Sequence, residues 1–113
     1  MENHQPEPDW KQKLRQGKLK TPFRHYTALA EGMVGILMLG FSCRRGPALM
    51  AVNTWAESVI DSEDLLQAMG REIGFTVTGK IRVFETEPSE PPKPDPYGYE
   101  VRFTPLEEKA DLG

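Results

Sequence analysis

The chain reads as an α+β domain of two layers, one main helix packed on a four- or five-stranded, mostly antiparallel sheet in the order β-β-β-α-β-β. Three observations predict this class. Phe75, Val77, Ile81 and Val83 alternate with Thr76, Thr78, Lys80 and Arg82, as do Tyr97, Tyr99, Val101 and Phe103 with Gly98, Glu100, Arg102 and Thr104. That period of two belongs to strands with one buried face and one wet face. Between Asp61 and Ile73 the apolar residues Leu65, Leu66, Met69 and Ile73 fall on one helical stripe. A strand, helix, strand unit flanked by further strands then closes most simply as one sheet covered on one side.

Taken in order, residues 1–22 are a polar, basic arm broken by Pro6, Pro8, Gly17 and Pro22, with too few apolar side chains to offset the entropy of ordering. Trp10, Leu14 and Leu19 leave a faint amphipathic pattern, and Asp9 is placed to cap one short helix over Asp9 to Gln16. The folded domain spans 23–105. Its first expected feature is a hairpin, Arg24 to Glu31 and Met33 to Phe41, turning at Glu31 and Gly32. The second arm of that hairpin is apolar at nearly every position, which predicts cover on both faces or a central place in the sheet. Ala48 to Trp55 follows as a strand after the loop Ser42 to Pro47. Asp61 or Ser62 caps the helix, with Glu63 and Asp64 at the positive end of its dipole, and Gly74 ends it in a left-handed turn. Gly79 marks a bulge or bend in the next strand. The two alternating strands are expected to pair as neighbours, joined by a stiff, projecting proline-rich loop over 88–96. Residues 106–113 form an acidic tail expected to be disordered.

Charge is the most informative feature of the composition. The net charge is −3 over 113 residues, yet six cations and no acid lie between Trp10 and Ala30, while residues 26–113 carry eight basic and fourteen acidic side chains. Arm and domain therefore have opposite sign, which suits self-association through the arm as well as attraction to other partners. The single cysteine, Cys43, excludes an internal disulfide and points to a reducing compartment, the cytoplasm. The longest apolar run, Met33 to Phe41, is far short of the ~20 residues of a spanning helix, so no membrane crossing is expected.

No glycine-rich phosphate loop, dinucleotide fingerprint, paired CxxC or nucleophile elbow is present in the sequence, and no cofactor or metal is expected. Asp61, Glu63 and Asp64 are explained by helix capping rather than by a metal. The residues support a small non-enzymatic protein-binding or regulatory module. Its partner-binding residues are Glu85, Glu87, Pro92, Tyr97 and Tyr99 at the loop, with Trp10, Lys13 and Arg15 in the arm. Two other readings compete. Residues 10–24 suit phosphate contacts in a nucleic-acid-binding accessory protein, helped by Lys80, Arg82 and Arg102 on the wet sheet face. Cys43 beside Arg44 and Arg45 suits a small enzyme or thiol sensor, although a partly buried cysteine at a strand end is the plainer interpretation.

Overall fold

The computed structural model describes residues 7–106. Its elements are α1 (Asp9–Arg15), β1 (Arg24–Val34), β2 (Gly46–Ala56), α2 (Val59–Ile73), β3 (Phe75–Glu85) and β4 (Tyr97–Pro105). The four strands form one antiparallel sheet in the order β3-β1-β2-β4, and α2 covers one face of it. The predicted α+β class, one main helix on an antiparallel sheet, is what the chain adopts.

The core follows from alternation. Ala28, Ala30 and Val34 of β1 and Ala48, Met50 and Val52 of β2 point towards α2, where Leu66, Ile73 and the Phe75 ring close the cluster. Small side chains on the central strands let the helix sit close. Its buried stripe is Ser62, Leu66, Gly70 and Ile73, rotated slightly from the stripe expected, because Leu65 and Met69 lie at the flanks. Ser58, rather than Asp61 or Ser62, is the N-cap: its Oγ accepts the Asp61 N–H at 3.2 Å. Ser62 is instead fully buried and shares a 2.7 Å hydrogen bond with Thr54 on the sheet. Gly74 ends the helix as predicted, at φ 120° with its N–H bonded to the Gly70 carbonyl.

Further expectations are corrected. Arg24 to Phe41 is not a hairpin, because β1 runs unbroken through Glu31 and Gly32 to Val34. Gly32 is needed for packing rather than for a turn: a Cβ there would lie 2.5 Å from Phe75 Cζ. The apolar run then leaves the sheet. Gly35 and Met38 donate their N–H groups to the carbonyls of Gly74 and Ile73, satisfying the exposed end of α2. Leu37 and Phe41 tuck against the core, whereas Ile36 and Leu39 are 78% and 97% exposed, so the run is not covered on both faces.

Nor do β3 and β4 pair. They form opposite edges of the sheet, because β1 and β2 occupy the centre, and the proline-rich connection crosses from one edge to the other. Each edge strand carries an irregularity. The β1–β3 register shifts opposite Glu31, at Gly79 as anticipated, and the β2–β4 register shifts between Ala51 and Asn53, where Glu100 takes φ 59°. Leu106 continues β4 with an N–H bond to the Pro47 carbonyl, while the expected tail over 107–113 lies outside the described residues, as do 1–6 of the arm.

Candidate functional site

The sheet face turned away from α2 carries a row of rings at one end. Register places His25 opposite Trp55 and Trp55 opposite Tyr97, with Tyr99 one pair further along β4. Phe23, Trp55 and Tyr99 form a second buried cluster, onto which Leu14 of α1 and Tyr97 pack. His25 meets Trp55 edge-on at 5.0 Å between centroids and Tyr99 at 5.7 Å.

These rings hold the proline connection by its backbone. The Tyr99 hydroxyl accepts the N–H groups of Ser89 and Glu90 at 3.0 and 3.2 Å and lies 2.7 Å from His25 Nε2. With the lone pairs of that oxygen taken by two N–H donors, its own O–H donates to Nε2. The imidazole is then neutral with its proton on Nδ1, which donates to the Thr86 carbonyl at 3.0 Å. Trp55 Nε1–H donates to the Glu90 carbonyl at 2.8 Å, and the Tyr97 O–H to the Pro91 carbonyl at 2.6 Å. Pro88 is buried beneath, and Lys93 Nζ sits 4.2 Å from the Tyr97 ring centroid. Glu100, in its unusual backbone conformation, accepts from Asn53 Nδ2 at 2.8 Å and from Ser89 Oγ at 3.3 Å, tying the β4 bulge to the same loop.

Electrostatics agree with this geometry. Burial lowers the His25 pKa from its ordinary value, a shift only partly opposed by the Thr86 carbonyl and by Glu87 and Glu100. Burial chiefly, with Glu90 adding, pushes the Tyr97 phenol up to about 12, so it remains a donor across the physiological range.

The arm lies beside this loop. Lys11, Leu14 and Arg15 line one shallow cleft with Glu87 and Pro88, and Leu19, Lys20, Thr21 and Pro22 line another with Pro92, Lys93 and Pro94. Arg15 forms a fork with Glu7 that lowers the Glu7 pKa and raises its own, and Glu87 adds to the latter. Arg24 and Glu85 approach to 3.8 Å, a pair too exposed to contribute much stability. The expected cap at Asp9 is absent: Pro8 precedes the helix, no side chain caps it, and Asp9 pairs with Lys13 at 3.4 Å.

Of the residues singled out from sequence, Glu87, Pro92 and Tyr97 therefore gather around one loop, Glu85 ends β3 beside Arg24, and Arg15 and Lys13 lie on the neighbouring α1. Trp10 is half-buried on the same helix, with Lys11 Nζ 5.8 Å from its ring centroid. Tyr99 is only 8% exposed and serves the loop from below. Cys43 is remote, in the β1–β2 loop at the other end of the sheet, half-buried against the main core. His25, Ser89 and Glu100 are not among the residues singled out from sequence. The partners of His25 lie 61 and 74 residues away, a separation that no local pattern signals. Among the described residues no three His, Cys, Asp or Glu side chains converge as a metal site, and no helix is long and apolar enough to cross a membrane. Compared with protein-family models, curated proteins and solved structures, the chain matches none.

Proposed function

We propose that this chain is a small non-enzymatic protein-binding module whose recognition surface is the proline connection 88–96 with helix α1 alongside it. The observation that carries this reading is the set of hydrogen bonds from Tyr99, Trp55 and Tyr97 to the backbone of residues 89–91. A loop already fixed by prolines and by these bonds loses little conformational entropy when a partner docks. Glu85, Glu87 and Pro92 supply its outward chemistry, and α1 borders it with the Trp10 ring and the opposite charge of Lys13 and Arg15. The lone thiol of Cys43 suits work in the cytoplasm. Engagement of Arg15 with Glu7 and its closeness to Glu87 favour a protein partner over nucleic acid, since cations already facing carboxylates release fewer counterions from phosphate.

The test is capture from the native host's lysate, with and without nuclease, by the full chain and by a variant carrying Glu87→Lys, Pro92→Ala and Pro94→Ala. The reading expects one nuclease-resistant protein, near stoichiometric, that the variant loses while its thermal unfolding stays that of the parent. Empty capture, nuclease-sensitive capture or equal capture by the variant contradicts it.

A further inference from the structure

Beyond the loop, no described residue covers the half of the open sheet face away from the aromatic row. Leu29 and Leu49 belong to neither buried cluster, and with Glu31, Lys80 and Arg82 they line a groove of about 310 Å3. The register places Arg82 opposite Leu29, Leu29 opposite Ala51, and Ala51 opposite Arg102, so one row crosses all four strands as cation, aliphatic, aliphatic, cation. Both arginines are exposed. Lys80 strengthens the β3 side, and among the described residues Glu31 is the one acid lining the groove. Met33 and Phe84, on the same face, are 45% and 52% exposed and extend the apolar strip.

We propose that this face is a docking surface for an amphipathic helix of a partner protein, one whose apolar stripe is flanked on both sides by Asp or Glu. Size agrees: the edge strands of a four-stranded sheet lie roughly 14 Å apart, and a helix with its side chains is about 10–12 Å across. The helix fills the space between the cations while its flanking carboxylates meet Arg82 and Lys80 on one side and Arg102 on the other. Single-stranded nucleic acid fits worse, because it is held by stacking on rings and the floor between these cations is aliphatic. A second copy also fits worse, since two such faces brought together set arginine against arginine.

The experiment uses the full chain and fluorescence anisotropy with two designed helical peptides of about 18 residues, long enough to hold a helix. Both share one leucine stripe, flanked by Glu in one and by Lys in the other, and a thymidine oligonucleotide is the third probe. The Glu-flanked peptide is expected to bind at least about tenfold more tightly than the Lys-flanked one, with the preference shrinking at high salt. Arg82→Glu with Arg102→Glu reverses the order of the peptides, whereas Pro92→Ala with Pro94→Ala leaves it unchanged, so failure here is distinguishable from failure of the loop reading. Equal binding of both peptides, binding of neither, tighter binding of the oligonucleotide, or a dimer in sedimentation that Leu29→Glu dissolves would overturn the proposal.

Discussion

At the Tyr99 hydroxyl two backbone N–H groups arrive and one O–H leaves for His25 Nε2, while the Ser89 hydroxyl, 3.4 Å away, is shared with Glu100. Protonating His25 would aim a fourth hydrogen at an oxygen with no lone pair left, so the network and the burial of the ring both favour neutral imidazole. The groups facing this ring are Trp55, Tyr99 and Thr86, with Glu87 and Glu100 supplying negative charge nearby. Because the folded pKa lies below the ordinary 6.5, the unfolded chain takes up a proton that the folded chain resists. The contribution of neutral His25 is complete above that value and is lost as pH falls from it towards the folded pKa. Thermal unfolding followed from about pH 7.5 to 5.5 should show the midpoint falling, and His25→Gln should flatten that part of the profile. A wild-type profile already flat there would show that the ring is not held neutral. None of this was legible from His25 and its neighbours Arg24 and Tyr26, because the residues that set its state come from β2, β4 and the loop before β4.

Among the elements, those whose burial follows a simple period were the ones legible in the sequence. The alternation from Phe75 to Val83 is the β3 strand and that from Tyr97 to Phe103 is β4, each with its even-numbered residues largely in water. The stretch Met33 to Phe41 carries no period, and an apolar run of that length is equally a strand or a loop plugging the end of a helix. Here the carbonyls of Ile73 and Gly74 decide, and they lie more than thirty residues along the chain. Gly32 misleads for a related reason: a glycine inside a strand looks like a turn when the ring that needs its space, Phe75, is distant in sequence. Gly32→Ala should therefore destabilise the protein by about 1–3 kcal/mol or more, read from denaturant midpoints, since both the Phe75 ring and the Thr76 carbonyl must move. A loss below about 0.5 kcal/mol, the range of ordinary surface changes, would mean that Gly32 is not packed in this way.

On the scale of the whole molecule, the opposite charges of arm and domain were visible in composition, but their use was not. Part of the attraction is spent within the chain, where α1 lies beside Glu87 and Arg24 approaches Glu85. The two edge strands, expected to be neighbours, are separated by β1 and β2, and this separation sends the proline connection across the end of the sheet onto the aromatic row. Topology thus turns a proline-rich linker into a backbone held at four successive points, from Thr86 to Pro91. Among the described residues, it also leaves the remainder of the same face open between Arg82 and Arg102.

Whether this connection is a fixed ridge is read from the steady-state 15N heteronuclear NOE at its non-proline amides, Ser89, Glu90, Lys93 and Asp95. A fixed ridge gives values equal to those of the strands. In Tyr99→Phe, which strips Ser89, Glu90 and His25 of their shared partner at a cost of about 1–3 kcal/mol, the values at Ser89 and Glu90 should drop. Values typical of a free coil at all four amides of the unmodified chain would rule this ridge out, because a loop that moves freely holds no ready-made surface.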